Sequence, residues 1–397
     1  MYRYYQEQAV LPTYARFKTP DDLVAHEGRR KALFVDKLCL PPQVFQGARL
    51  VEFGPDAGEN ALVFARWGAS LTLVEPNPNS WARIQEYFEQ FRLQDRLLAL
   101  EKVDLEHFET DERFRIIDAE GFIYTIKPES VWIRRFSRLV EKDGFVILFY
   151  YEKFGALLEL MLKAIHARCK ALLAIDGEEA AWKLFEAKWN SVPHTRSFQS
   201  WVMDVLENPY VRLPYFFEAG RLCAQLQESG FALYSSWPHY RNSLRVDWHK
   251  TAVEPAQRLA QDARFIARSR LSFALGRSLW LCAPEAVVAQ VTRALEQALE
   301  AVDRLIDGLE PRALDDLAAG VDVLEQVLAT GGVVADSPDD ASVARQLLQG
   351  FRTMAQLLAD GDADGLITFC KTDPAFLTSW GVPGHFAVFR NTGVPHR

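Results

Sequence analysis

Little in this chain points to a metal, a disulfide scaffold or a membrane. Cysteine is scarce, 5 in 397 residues. Cys39, Cys169, Cys223, Cys282 and Cys370 show neither a CxxC pair nor metal-ligand spacing, so no disulfide framework and no metal site are expected. No apolar run approaches the roughly 20 residues that span a bilayer. The opening stretch MYRYYQEQAVLPTYARF lacks the apolar core of a signal peptide and carries charge early, which makes a cytoplasmic location the expectation. Basic runs are scarce too. The net charge is −8, and between residues 303 and 364 there are 11 Asp and 2 Glu against 4 Arg, enough to account for the whole imbalance. Such a surface repels a phosphate backbone, so nucleic acid is not the expected partner. Arg29-Arg30-Lys31 and Arg134-Arg135 are short, sit in amphipathic stretches and read as solvated helix faces. There is no short-period repeat and no low-complexity tract.

What is present is a large apolar fraction, 49% of residues, enough for a sizeable core and more than one structural unit. The most informative stretch is Leu50 to Glu75, LVEFGPDAGENALVFARWGASLTLVE. Arg49 to Phe53 predicts a buried strand, Gly54 to Gly58 a tight turn, Asn60 to Trp67 a helix ended by Gly68, and Leu71 to Val74 a second strand. This is one βαβ unit. Ligands of parallel sheets sit at the carboxyl ends of the strands, where Gly54 and Gly58 let backbone approach and Glu75 can accept hydrogen bonds from a ribose. A dinucleotide loop needs GxGxxG to seat a pyrophosphate on the helix N-terminus. Here Asp56 and Glu59 carry carboxylates that repel a pyrophosphate but suit a ligand bearing an amino group and a sulfonium, both cationic.

On these residues the chain resembles the class I S-adenosylmethionine-dependent methyltransferases. Their first motif is (D/E)xGxGxG, and their second strand ends in an acidic residue for the ribose. Glu52, Gly54, Gly58 and Glu75 fall on that pattern, whereas Asp56 stands where the family has its middle glycine. The resemblance implies S-adenosylmethionine as cofactor, held by Glu52, Gly54, Asp56, Gly58, Asn60, Glu75, Asp104 and Asp118. Within that set Asp104, closing a third strand over Leu97 to Val103, lies near the adenine amine. Phe114 to Ile117 predicts a fourth strand feeding the loop Asp118-Ala119-Glu120-Gly121 over the cofactor. A helix over Glu129 to Val140, a turn at Asp143-Gly144 and a buried fifth strand over Phe145 to Tyr151 follow. The alternation predicts a doubly wound, mostly parallel seven-stranded α/β sheet of class I methyltransferase type, with a helical lid and a large helical insertion before the last strand.

Beyond the fifth strand, Phe154 to Ile175 and Glu178 to Trp189 read as lid helices. Val192 to Pro214 mixes His194, Arg196, Trp201, Asp204, Asn208 and Arg212 with aromatics, as a pocket that orients hydroxyls would, and as a packing connector would too. Phe216 to Ser229 reads as a helix and Phe231 to Ser235 as a sixth strand. The seventh strand is delayed to His385 to Phe389, HFAVF. The insertion between them shows apolar stripes over 288–309, 314–327 and 343–358, three helices of ordinary bundle type. Homodimerisation or partner docking through it ranks second to that architecture. The expected organisation is an N-terminal helical cap (1–48), a cofactor-binding core (49–152), a lid and acceptor-pocket insertion (153–214), the end of the core (215–237), the helical insertion (238–383), and a terminal strand and tail (384–397).

Methyl transfer is an in-line displacement that needs an aligned acceptor and, for a hydroxyl or ammonium, a base. Glu120, Tyr124, Tyr151 and Glu152 sit where the fourth and fifth strands end. Glu120 and Glu152 form a candidate pair of base and acceptor clamp, or a holder for one divalent metal with a substrate diol; Glu120 leads. Tyr124 and His194 are further catalytic candidates, and His239 is an alternative base. No Asn/Asp-Pro-Pro-Tyr tetrad and no paired-cysteine RNA-methylating motif occurs. The expectation is methylation at oxygen or nitrogen of a polar small molecule, such as a sugar or sugar-linked metabolite. The rival readings are an NAD(P)-dependent oxidoreductase and a catalytically silent cofactor-binding subunit that docks a partner.

Overall fold

The computed structural model describes residues 2–8, 11, 17–194, 196–242, 253–276, 281–330, 333–335 and 337–393. They divide into two compact units. One comprises 1–150, 220–263 and 385–397, and the other 151–219 and 264–384.

The first unit is built on the sheet. Its strands are β1 (Arg49–Phe53), β2 (Ser70–Val74), β3 (Leu97–Glu101), β4 (Phe114–Glu120), β5 (Val140–Tyr151), β6 (Phe231–Trp237) and β7 (Gly384–Asn391). Their spatial order is β3-β2-β1-β4-β5-β7-β6. Strands β1 to β5 pair in parallel, and β7 runs antiparallel to β6. The doubly wound seven-stranded sheet expected from the sequence is therefore present, with the delayed HFAVF strand inside it. Continuous apolar runs explain the central strands: Leu50, Val51, Leu71, Leu73, Ile116, Ile117, Val146, Ile147 and Leu148 are all buried. Each such side chain contributes about 1.5–3 kcal/mol relative to exposure.

Three boundaries differ from expectation. β3 stops at Glu101, whose carbonyl accepts the Glu75 N–H at 2.9 Å; the chain then turns at Asp104, whose carboxylate accepts the His107 N–H at 3.0 Å. β4 runs on through Glu120, placing Asp118 opposite Ile147 and Glu120 opposite Phe149, inside the ladder instead of in a loop. Asp143-Gly144 is a bulge within β5: Phe114 pairs with Val140 but Ile116 with Phe145, and Asp143 adopts φ +61°.

The helix Pro20–Lys31 is specified locally. Thr19 and Asp22 form a reciprocal capping box, proline opens the first turn, and Arg29, Arg30 and Lys31 occupy the last, where cations complement the helix dipole. It presents buried Leu23 and Arg30 to the unit's interior.

The second unit is helical. Leu157–Leu173, Gly177–Asn190, Glu285–Asp307, Pro311–Ala329 and Pro338–Asp360 share one core that includes Leu162, Leu184, Leu295, Leu299, Leu324, Leu347 and Phe351. The three periodic stripes of the insertion are thus helices, and they share this core with the expected lid helices. The expected helix at 216–229 begins at Ala219. Phe217 instead bridges the chain end of β5, donating to the Tyr151 carbonyl at 2.9 Å and accepting from Lys153 N–H at 2.7 Å, which takes its backbone out of helical bonding. Among the described residues no helix is long and apolar enough to cross a membrane.

Candidate functional site

At the carboxyl edge of β1, β2 and β4 the loop after β1 turns back sharply. Gly54 (φ +68°) and Gly58 (φ +91°) are left-handed. A Cβ on Gly54 would lie 2.9 Å from the Phe122 ring, so only glycine permits that packing. Asp56 also adopts a left-handed conformation, φ +52°. The residue that replaces the family's middle glycine thus keeps a glycine-like backbone, as aspartate can.

The loop is tied to β2 by Glu75. Its Oε2 accepts the Asp56 N–H at 3.1 Å and its Oε1 accepts the Asn77 N–H at 2.7 Å. Each oxygen retains a lone pair for a hydroxyl donor. Burial pushes the Glu75 carboxyl up to about 8, with the Asp56 charge adding and the two N–H donors opposing.

Glu52 and Asp118 are cross-strand partners on β1 and β4 and therefore share a face of the sheet. Both are buried. Glu52 Oε2 and both oxygens of Asp118 receive no hydrogen bond among the described residues. Burial raises Glu52 to about 8, with the Glu120 charge adding and Arg30 opposing. Asp118 is raised well above the carboxylate range, first by burial and then by Glu120 and Glu52.

The compensating charge comes from Arg30. Its Nη1 and Nη2 donate to Glu120 at 2.9 and 2.6 Å, and its guanidinium lies over the Phe34 ring at 4.8 Å. Arg30 is buried, which corrects the reading of Arg29-Arg30-Lys31 as a wholly solvated face; its two neighbours are exposed. Asn60 spans His26 and Glu120, accepting from His26 Nε2 at 3.1 Å and donating to Glu120 at 3.4 Å. Burial lowers His26 to about 4, with the Arg30 charge next, so the ring is neutral at pH 7. Arg30 and His26 went unrecognised because a basic helix end has the same sequence appearance whether its arginine points out or in.

The other candidates scatter. Tyr124 is buried in a short 3-10 turn after β4, and Asp104 is engaged with the exposed His107. His239 is exposed. Glu152 and His194 belong to the second unit. Glu152 is buried, and its Oε2 accepts the Gly155 N–H at 2.9 Å, a cap on the following turn; burial raises it to about 7. His194 is exposed, and its ring lies tilted against that of Trp189 with centroids 4.5 Å apart. In the 192–214 stretch, Arg212 is clamped to Asp303 and Asp307, Arg196 pairs with Asp204 at 2.5 Å, and Trp201 packs in the core.

The fit to S-adenosylmethionine is therefore one of charge and hydrogen-bonding capacity. Orphaned buried carboxyls on β1 and β4 suit a cationic ligand, and Glu75 retains acceptors for a ribose diol. No curated protein matches the sequence. Among solved structures, the chain is similar to the glycopeptide N-methyltransferase MtfA complexed with sinefungin, with 17% identity over 28% of this chain and 49% of that one (TM-score 0.25). It is similar to the CcbJ methyltransferase from Streptomyces caelestis, with 16% identity over 32% and 51% (TM-score 0.28). It is also similar to TehB from Haemophilus influenzae, with 16% identity over 37% and 46% (TM-score 0.25). The chain spans about half the length of these structures. A methyltransferase-domain family matches residues 25–236, more than half of the sequence and inclusive of every strand from β1 to β5. The chain belongs to this methyltransferase-domain family, whose methyl donor is S-adenosylmethionine.

Proposed function

We propose that this protein transfers a methyl group from S-adenosylmethionine to oxygen or nitrogen of a polar small molecule, of sugar or sugar-linked type. The observation that carries the cofactor half is the buried pair Glu52 and Asp118, of which Glu52 Oε2 and both Asp118 oxygens receive no hydrogen bond among the described residues. In low dielectric this pair can ionise opposite an ammonium and a sulfonium, and it opposes a pyrophosphate. When bound, the cofactor supplies an electrophilic methyl group. Glu52 and Asp118 would face its cationic end, Glu75 would take the ribose hydroxyls, and Gly54, Asp56 and Gly58 would line it with backbone.

The acceptor half rests on the absence of recognition motifs for nucleobase or glutamine amides and on the acidic balance of the chain. Glu120 lies two residues beyond Asp118 on β4. Its pairing with Arg30 favours a role as an anchor for an acceptor hydroxyl or ammonium over that of a base, which needs weaker compensation of its charge.

The test is calorimetric titration with S-adenosylhomocysteine, with NADH in parallel. Tight binding of the homocysteine product that is lost in Glu52→Gln and weakened in Glu75→Ala is the expected result. Preference for NADH would sink the reading. Binding without turnover on any sugar or amine acceptor would support a silent cofactor-binding subunit instead.

A further inference from the structure

After β4 the chain turns at Gly121-Phe122, and the turn is pinned on both sides. The Gly121 N–H donates to the Phe149 carbonyl at 3.0 Å, and the Phe122 carbonyl accepts from the Thr125 N–H at 2.9 Å and the Thr125 hydroxyl at 2.8 Å. The Phe122 ring is thereby set against Gly54: a Cβ on that glycine would lie 2.9 Å from ring Cδ1 and 3.0 Å from Cε1. Phe122 is only half-buried.

An aliphatic side chain would cover Gly54 as well. What a ring adds is a π face whose negative potential attracts a cation. The first unit already uses ring faces in this way, since the Arg30 guanidinium lies 4.8 and 5.5 Å from the Phe34 and Phe64 ring centres. Phe53, next to Gly54, is buried and packs on Phe108 and Phe136 at ring-centre distances of 5.6 and 5.5 Å. Phe122 has neither an aromatic neighbour nor a cation over its ring among the described residues.

The place of Gly54 in the chain says which cation would meet this ring. Gly54 comes two residues after Glu52, and Glu75 accepts the N–H of Asp56 further along the same loop. The loop thus runs from the Glu52–Asp118 carboxyls to Glu75. In S-adenosylmethionine the sulfonium stands between the ammonium and the ribose along the covalent chain. A donor with its ammonium at the carboxyl pair and its ribose at Glu75 carries the sulfonium across the stretch that Gly54 and Phe122 border.

We infer that Phe122 is a specificity residue for the methyl donor: its ring face attracts the sulfonium and so separates S-adenosylmethionine from S-adenosylhomocysteine, whose sulfur is neutral. The inference rests on the cofactor assignment proposed above and deepens it. Loss of the sulfonium charge on methyl transfer weakens the hold on the product and favours its release.

Calorimetric titration of the full chain with each of these two ligands, at one pH, tests the assignment. In Phe122→Leu, which keeps an apolar side chain on Gly54, affinity for S-adenosylmethionine should fall about fivefold, and affinity for S-adenosylhomocysteine less than about twofold. Phe122→Tyr keeps the ring and should keep the parent ratio. A ring-trifluorinated phenylalanine at 122 withdraws electron density from the face at nearly constant shape. It should weaken S-adenosylmethionine alone, by about threefold, and it keeps the test decisive if Phe122→Leu fails to fold. Equal weakening of both ligands, or a ratio unchanged by leucine and by fluorination, would overturn the role of Phe122 while leaving the cofactor reading intact. Failure of the parent protein to bind either ligand would remove that reading and this inference together.

Discussion

Arg30 and Glu120, 90 residues apart in the chain, meet in a two-point ion pair with N···O distances of 2.9 and 2.6 Å, and their side chains are 8% and 13% exposed. The pair joins the helix Pro20–Lys31 to the end of β4. It also supplies the positive charge beside three carboxyls, Glu52, Asp118 and Glu120.

Removing that charge should be costly. Arg30→Met leaves Glu120 buried without its partner and should destabilise the protein by about 3–5 kcal/mol. Urea unfolding measures this directly. Arg30→Lys keeps the charge but loses the fork, and should fall between the two. A loss below ~1 kcal/mol in Arg30→Met would show that the pair is solvated.

Cofactor affinity should rise with pH. Glu52 and Glu75 sit at about 8 in the folded protein against an ordinary 4.5. A raised carboxyl pKa means that the folded state holds protons the unfolded chain has released. These groups' contribution is therefore full below pH 4.5 and falls as pH rises to about 8, so the cofactor-free protein loses stability across that window. A cationic ligand favours the ionised carboxyls. S-adenosylmethionine, which carries both the sulfonium and the ammonium, should thus bind about tenfold more tightly at pH 8.5 than at 6.5, with proton release seen as a buffer-dependent heat. The pH slope should flatten in Glu52→Gln. A slope of opposite sign would contradict the charge assignment.

The backbone at Asp56 gives a separate test. With φ +52°, Asp56→Ala places a Cβ-bearing residue without aspartate's local hydrogen-bonding capacity in the left-handed region, and should cost about 1 kcal/mol. Asp56→Gly relieves the conformation but adds unfolded-state entropy, so it should stay within about 1 kcal/mol of the parent. Thermal unfolding of the pair decides. An alanine variant more stable than the glycine variant would be incompatible with this turn.

Arg212 grips two aspartates unequally. Asp303 is 14% exposed and also accepts the Leu213 N–H at 3.0 Å, whereas Asp307 is 70% exposed. Asp303→Ala should therefore cost about 1–3 kcal/mol, and Asp307→Ala less than about 1 kcal/mol and less still in high salt. Equal losses would mean that burial does not set the strength of this clamp.

Much of the first unit is legible from local pattern. The short runs LVEF, LTLV and FVILFYY, bounded by turn residues, read as buried strands, and HFAVF gives the best candidate for the last strand despite its distance from the sixth. The glycines at 54 and 58 and the carboxylates at 52 and 75 mark the carboxyl edge of a parallel sheet before any coordinates are seen. The three stripes of the insertion give helices because their apolar residues recur at spacings of three and four. Other features are not legible. The 192–214 stretch reads equally as a polar pocket and as a packing connector; Arg196 and Arg212 reach aspartates 8 and 91 residues away, and no local pattern records such partners.

The sequence by itself determined the βαβ unit, the strand count, the helical character of the insertion and the acidic residues at the carboxyl edge of the sheet, because strand and helix periodicity and turn chemistry act within a few residues. Tertiary structure alone decided that Arg30 turns inward to Glu120, that Asp118 lies in a strand beside Glu52, and that Glu152 caps a turn. Each of these depends on which side chain the packing removes from water, and burial is a property of the whole fold.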